Sequence, residues 1–144
     1  MTVPGRLSLV TLGVADLPRS VAFYEALGWR QWPVESDEVA FFPLAGCVLA
    51  LHPRAMLAAD AGLDDAGPPA RFGGVTLAVN VGSPGEVDAA VAAMAEAGGT
   101  VLVPPGPTEW GGYHGYVADP DGHPWEVAHN PGFKIDEAGR LALA

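Results

Sequence analysis

Residues 113–129, YHGYVADPDGHPWEVAH, hold the densest group of side chains in the chain that could move protons or bind a metal. Asp119-Pro120-Asp121-Gly122 has proline in second place and glycine in fourth, which predicts a type I turn that closes a hairpin. Because aspartate side chains stabilise such turns directly, we interpret both aspartates as turn residues rather than as metal ligands or catalysts. His123, beside the turn, is expected to be solvated.

Glu126 is the main candidate for chemistry in this segment. The predicted turn makes residues 119 and 123 partners, so Tyr116 lies opposite Glu126 and His114 opposite Ala128. Since side chains alternate along a strand, Glu126 shares a face with Tyr116, where burial would suit it to general-base catalysis. We favour a structural carboxylate hydrogen-bonded to Tyr116 or to a backbone amide, because no nucleophile or second catalytic group is evident.

Two parts of the chain follow one plan and would hold these residues in place. VTLGV (10–14) is followed by Asp16, a good helix N-cap, by apolar residues at helical spacing and by Gly28 as a stop. VTLAV (75–79) is followed by the capping-box pattern SPGE (83–86), a second helical pattern and two glycines. Each helix leads into three strand candidates, which are WRQWP, EVAFFPL and CVLALH in the first half and TVLVP, YHGYVAD and PWEVAH in the second.

This order of elements predicts an α+β protein in which two tandem βαβββ modules form a curled mixed sheet around a shared groove, with the helices outside. The first module spans residues 1–52 and the second residues 73–130. Residues 53–72 are rich in Ala, Asp, Gly and Pro and are interpreted as a connector. Residues 131–144 form a C-terminal tail with a small hairpin around Glu137-Ala138-Gly139. A two-walled groove is typical of small-molecule binding.

Composition and charge exclude several classes of protein. With 144 residues, 49% of them hydrophobic, the chain is large enough to form a core. Its net charge of -10 repels phosphate backbones and anionic membranes, so we expect neither nucleic acid nor a membrane as a partner. No apolar run reaches the ~18 residues of a membrane span and no signal peptide is evident, so we expect a cytoplasmic protein. The single cysteine, Cys47, is interpreted as a packing residue.

Two segments resemble a known family. DLPRSVAFYEALGW (16–29) and WGGYHGYVADPDGHPWEVAHNPG (110–132) are similar to the vicinal oxygen chelate superfamily, which includes glyoxalase I, extradiol dioxygenases and bleomycin-resistance proteins. The similarity extends over roughly residues 6–140. It implies paired βαβββ modules and, in the metalloenzymes of the family, a divalent metal held by four side chains, one from the first and one from the last strand of each module.

The four metal-ligand positions that the resemblance implies fall on Leu9, Ala50, Gly74 and Glu126. Only Glu126 carries a donor atom in its side chain, and one carboxylate does not fix a divalent metal. We therefore expect no metal and no other cofactor. A non-standard metal site built from His52, His114 and Glu126 is the less favoured alternative.

Aromatic residues give the positive signal for a binding site. A two-residue turn at Ala45-Gly46 would pair Phe41 with Ala50, which places a ring opposite a missing metal ligand. Trp110 lies in the Gly- and Pro-rich segment 105–115, which is able to move over the mouth of a pocket. The predicted ligand-binding residues are Leu9, Thr11, Trp32, Phe41, Ala50, His52, Gly74, Thr76, Trp110, Tyr113, His114, Tyr116 and Glu126.

These features predict a metal-free protein of the glyoxalase/bleomycin resistance type that sequesters an aromatic or polycyclic hydrophobic compound, as an antibiotic-resistance protein does. The alternative is a lyase, isomerase or dioxygenase that depends on Glu126 or on a metal with an altered ligand set, so it stays open whether the protein is an enzyme. A structural or regulatory protein with a vestigial pocket is a third possibility. A homodimer is expected, because relatives complete their grooves with a second copy and open sheet edges favour pairing.

Overall fold

The computed structural model describes residues 2–3, 5–65 and 72–142. In chain order its elements are β1 (Leu9–Val14), α1 (Leu17–Ala26), β2 (Ala40–Leu44), β3 (Cys47–Pro53), α2 (Arg54–Asp60), β4 (Leu77–Asn80), α3 (Pro84–Glu96), β5 (Thr100–Pro107), β6 (Tyr113–Ala118), β7 (Pro124–His129), β8 (Lys134–Ile135) and β9 (Leu141–Ala142). The predicted α+β fold with two βαβββ modules is confirmed. No helix in these described ranges has the length and hydropathy of a membrane span.

The two modules form separate sheets of the same design, with strand orders β1-β3-β2 and β4-β7-β6-β5. In each sheet the strand before the helix pairs in parallel with the last strand of its module, and the other pairs are antiparallel. The predicted strand WRQWP is reduced to one bridge, in which the Trp32 amide donates to the Phe41 carbonyl at 2.7 Å. Pro33 has no N–H with which to continue the ladder.

Both long helices begin and end where the sequence predicts. The side chain of Asp16 accepts a hydrogen bond from the Arg19 amide at 3.1 Å, and that of Ser83 accepts one from the Glu86 amide at 3.2 Å. These bonds satisfy amides that have no partner within the helix. Just beyond the C-terminus of α1, Gly28 has a φ of +88°, a conformation that side chains other than glycine rarely adopt.

One core joins the two modules, and α1 provides the connection. Tyr24 of α1 is fully buried and packs against Trp125 of β7, with ring centroids 6.0 Å apart. Its hydroxyl donates to Asp119 Oδ2 at 2.7 Å and accepts from Trp125 Nε1 at 3.0 Å. Because burial removes this hydroxyl from water and the negative charge of Asp119 lies beside it, the pKa of Tyr24 is strongly raised. We call Tyr24, Asp119 and Trp125 the buried triad.

The turn between β6 and β7 also holds the modules together. It has the predicted form, with the Asp119 amide donating to the His123 carbonyl at 2.9 Å. In addition Asp121 accepts hydrogen bonds from the Ala15 amide at 2.9 Å and the Ser20 hydroxyl at 2.7 Å, at the start of α1. The prediction that His123 is merely solvated is wrong, because the imidazole is half-buried and its Nε2 lies 2.9 Å from the Gly13 carbonyl oxygen.

The segment after β3 forms helix α2, which the sequence did not predict. This helix contacts β1 and β3, yet none of its apolar residues belongs to the main core. A Cβ added to Gly13 would point away from the core-facing Leu12 and Val14, and it would lie 3.2 Å from Arg54 Cγ. Helix α2 therefore begins on the face of the first sheet opposite the core. At the other end of the chain, β8 and β9 form the predicted C-terminal hairpin.

Candidate functional site

Three aromatic rings form a row on the face of the second sheet that points away from the core. The His114 ring lies between those of Trp110 and Tyr116, with centroid distances of 6.1 and 5.3 Å and interplanar angles of 80° and 74°. The hairpin register is the predicted one and places Tyr116 opposite Glu126. Alternation along β6 and β7 brings His114, Tyr116 and Glu126 to one surface, and the Trp110 ring joins it through its contact with His114. We call this surface the ring face and define it as Trp110, His114, Tyr116 and Glu126.

Glu126 lies at the centre of the polar contacts on the ring face. Its Oε2 is 2.7 Å from His114 Nδ1, with both side chains about a quarter exposed. Partial burial and the nearby charge of the Glu126 carboxylate raise the pKa of Tyr116. Within the described residues His114 Nε2 has no hydrogen-bond partner. The predicted pairing of Tyr116 with Glu126 across the strands is thus present, and the side chain that contacts the carboxylate at 2.7 Å is His114.

Trp110 is placed by a tight turn between β5 and β6. The Thr108 amide donates to the Gly112 carbonyl at 3.0 Å, and the Gly112 amide donates to the Thr108 hydroxyl at 2.9 Å. A Cβ at Gly112 would lie 1.9 Å from the Trp110 ring, so only glycine leaves room for the ring in this position. Gly112 is a site residue outside the predicted set, although the string Trp110-Gly111-Gly112 was a signal for it.

Tyr113 does not belong to the ring face. It precedes His114 on β6 and therefore points to the opposite side of the sheet, where its hydroxyl donates to Asp88 of α3 at 2.8 Å. That hydrogen bond and the negative charge of Asp88 raise the pKa of Tyr113. Tyr113 was predicted to bind the ligand, but strand geometry places its side chain on the opposite side of the sheet from the ring face. Tyr113 instead ties the second sheet to its helix.

The candidates in the first module lie apart from the ring face. Phe41 pairs with Ala50, as the turn at residues 45–46 predicts, but Ala50 is only 1% exposed. His52 Nδ1 lies 2.6 Å from the Glu38 carbonyl oxygen and its Nε2 lies 3.7 Å from Asp60 of α2. These contacts engage both ring nitrogens of His52 within the first module, so the histidine has a structural role there.

The remaining predicted residues lie at strand ends and edges. Leu9 and Trp32 are 44% and 62% exposed, and Gly74 and Thr76 are exposed before the start of β4. Thr11 is half-buried and lines a cavity of about 670 Å³ together with Gly13, Arg54, Phe72, Asp121 and His123. The structure therefore forms two groups from the predicted residues. One is the ring face, and the other is Thr11, Trp32, Phe41 and Ala50, which are neighbours across the strands of the first module.

Comparison with known proteins identifies the family. Residues 6–127 match the family model described as the Glyoxalase/Bleomycin resistance protein/Dioxygenase superfamily. The chain belongs to this superfamily. No curated protein matches the chain.

Solved structures of the glyoxalase superfamily resemble the chain over most of its length. A glyoxalase-related enzyme from Fulvimarina pelagi is 37% identical, with a TM-score of 0.88 and coverage of 98% of this chain and 99% of that one. A glyoxalase/bleomycin resistance protein/dioxygenase from Nocardioides is 27% identical, with a TM-score of 0.74 and coverage of 90% and 85%. A hypothetical protein from S. aureus, 23% identical with a TM-score of 0.76 and coverage of 90% and 96%, shows the shared fold.

The strand register locates the metal-ligand positions of the glyoxalase superfamily in this chain. Thr11 pairs with Ala50 in the first module, and Ala78 pairs with Glu126 in the second. The two strings VTLGV and VTLAV are therefore offset by two residues, and the position equivalent to Leu9 is Thr76 rather than Gly74. An offset of two keeps every side chain on its predicted face.

This donor set does not fit a divalent metal. Leu9 and Ala50 have no donor atom, and the Thr76 hydroxyl is a poor substitute for the imidazole of the family pattern. Glu126 is engaged by His114 and Tyr116. Within the described residues no group of three or more His, Cys, Asp or Glu side chains could hold a metal ion, and this includes the alternative set of His52, His114 and Glu126.

Proposed function

We propose that the protein binds a flat aromatic small molecule that carries a basic or hydrogen-bonding group, and that it does so at the ring face without a metal. The observation that carries this proposal is the row of three rings with the Glu126 carboxylate 2.7 Å from His114 Nδ1 and opposite Tyr116 on the neighbouring strand. Aromatic surfaces favour flat ligands, and each stacked ring contributes about 0.5–1.5 kcal/mol beyond simple burial. The carboxylate of Glu126 then selects a ligand with a donor or a positive charge.

The charge of the whole chain supports this choice of ligand. A net charge of -10 raises the local concentration of cations and lowers that of anions near the surface. A flat cation is therefore favoured twice, by the general field and by Glu126. Sequestration of such a compound is the role that the sequence analysis favours, and the ring face provides the surface for it.

We also propose that the protein works as a homodimer whose second copy covers the ring face. Val103 of β5, which pairs with Tyr116, is 44% exposed beside this face, and Trp110 is 53% exposed. A ligand held only by an open sheet would keep much of its surface in water, whereas small-molecule sites bury most of the ligand. Light scattering that gives a 14.8 kDa particle at all concentrations would contradict the dimer.

The binding test is a fluorescence titration with three flat probes of different charge: 9-aminoacridine as cation, menadione as neutral quinone and anthraquinone-2-sulfonate as anion. We expect 9-aminoacridine to bind most tightly, with a Kd below about 100 μM. Replacing Trp110 with alanine should weaken its binding about tenfold, since stacking and burial are both lost. Tyr116→Phe should weaken binding, whereas the control Tyr113→Phe should not. If no probe binds below that limit, the proposal is wrong.

A second candidate function is acid–base catalysis by His114. Its Nδ1 is 2.7 Å from Glu126, an arrangement that orients the ring and leaves Nε2 to accept a proton from a bound substrate. The relative from Fulvimarina pelagi is described as an enzyme, which is consistent with this candidate. The test is deuterium uptake from D₂O at the enolisable carbon of 1-indanone. Exchange that exceeds the buffer rate and is lost in His114→Gln would support catalysis by His114. Exchange at the buffer rate in the native protein would contradict it.

A further inference from the structure

A second cavity, of about 610 Å³, lies between the modules near the C-terminal hairpin. Its lining includes Val10, Leu49, Leu77 and Trp125, residues that belong to the common core or pack against it. None of the four residues of the ring face lines it. Its volume is within the range of about 300–1,000 Å³ that is typical of small-molecule sites. This cavity is therefore a separate candidate site with apolar walls.

Arg140 is the one charged residue among those that line this cavity in the described part of the chain. It follows Gly139 in the hairpin turn, where its amide donates to Asp136 Oδ1 at 2.8 Å and its carbonyl accepts from the Asp136 amide at 2.9 Å. Its guanidinium makes no hydrogen bond or ion pair with any described residue. An arginine on a hydrogen-bonded turn, with a guanidinium that has no partner among the described residues, thus lines an otherwise uncharged cavity.

The C-terminal hairpin places Arg140 against the β2–β3 turn of the first module. A Cβ at Gly139 would lie 3.4 Å from Ala45 Cβ, and a Cβ at Gly46 would lie 4.0 Å from Arg140 Cγ. The stem of Arg140 therefore lies across the β2–β3 turn at the cavity edge. In a chain with 7 basic and 17 acidic residues, a cation at the edge of an apolar cavity is a specific attraction for an anion.

We propose that this cavity binds an apolar monocarboxylate, such as a medium-chain fatty acid, with the chain against the apolar walls and the carboxylate on Arg140. Guanidinium and carboxylate form paired, charge-assisted hydrogen bonds. The apolar walls supply affinity for the hydrocarbon, while the guanidinium selects the sign of the head group. A cationic amphiphile of equal length is excluded by the same charge.

Cys47 offers a direct readout, because it lines the cavity and is the only cysteine in the chain. The native protein is treated with N-ethylmaleimide, a neutral thiol reagent, in the presence of decanoate, 1-decanol or decyltrimethylammonium. We expect decanoate to slow the alkylation of Cys47 at lower concentration than either of the others. The comparison is stringent, since the net charge of -10 attracts decyltrimethylammonium to the protein in general.

Arg140→Gln tests the head-group contact, with Arg30→Gln as a control that removes the same charge from an exposed position outside the cavity lining. We expect the decanoate concentration for half-protection to rise about fivefold in Arg140→Gln, a modest change because this arginine is exposed, and not at all in Arg30→Gln. Trp110→Phe should leave protection unchanged, which separates this site from the ring face. Equal protection by the three amphiphiles, no protection by decanoate, or equal effects of the two arginine variants would each overturn the proposal.

Discussion

The buried triad makes a sharp prediction about stability. Tyr24→Phe removes one oxygen atom and keeps the ring, but it deprives Asp119 Oδ2 of a hydrogen bond of 2.7 Å and Trp125 Nε1 of one of 3.0 Å. Tyr24, Asp119 and Trp125 are all at least 95% buried, so water cannot easily replace the lost partner. A hydrogen bond to a charged group contributes about 1.5–3 kcal/mol and a neutral one about 1 kcal/mol. We expect Tyr24→Phe to lower the free energy of unfolding by about 2.5–4 kcal/mol.

The chain contains a matched control for this change. The Tyr113 hydroxyl also donates to a carboxylate, that of Asp88, at 2.8 Å, but the contact is exposed to solvent. We expect no resolvable loss of stability in Tyr113→Phe, because water can take the place of the hydroxyl. Urea titrations of the two variants and the native protein, followed by tryptophan fluorescence, measure both effects. Equal losses in the two variants, or a loss below about 1 kcal/mol in Tyr24→Phe, would refute the role assigned to burial here.

Three further results are expected. The folded protein holds the pKa of Tyr24 above its usual value near 10, so the stability that its neutral hydroxyl contributes is complete below about pH 10 and is lost as the pH rises further. The free energy of unfolding should therefore fall less steeply with alkaline pH in Tyr24→Phe than in the native protein, by up to about 1.4 kcal/mol per pH unit. Gly112→Ala should displace the Trp110 ring and weaken 9-aminoacridine binding nearly as much as Trp110→Ala, whereas Gly106→Ala, which meets no atom within 4 Å, should not. Glu126→Gln should weaken 9-aminoacridine about fivefold and menadione little, as isothermal titration calorimetry can show.

Local sequence rules were sufficient for the hairpins and helix ends. The turn at residues 119–122 and the turn at residues 45–46 each set a register by themselves, and the structure has both registers. The caps Asp16 and Ser83 act through the amide three residues later, so no distant part of the chain is needed to recognise them. Because these features depend on neighbours in sequence, the register that places Tyr116 opposite Glu126 could be predicted correctly.

Features that depend on distant residues could not be read in the same way. Helix α2 has only seven residues and no side-chain cap, so neither a periodic pattern nor a capping residue predicts it from the sequence. The bond from His123 to Gly13 joins residues 110 positions apart. The repeated letters VTL suggested one alignment of the modules, while the distance from each strand to its helix cap gives another, two residues away. The alignment of the VTL letters places the equivalent of Leu9 at Gly74, whereas the strand register places it at Thr76.

The way in which each module is completed has a consequence for synthesis of the protein. The β6–β7 turn of the second module is anchored on α1, an element of the first, through Asp121 and the buried triad. The β2–β3 turn of the first module is in turn covered by Gly139 and Arg140, which follow the second. The first half therefore cannot reach its final packing as it leaves the ribosome, because it waits for residues supplied by the second half. The two copies of the plan therefore mature together, after Arg140 has been translated.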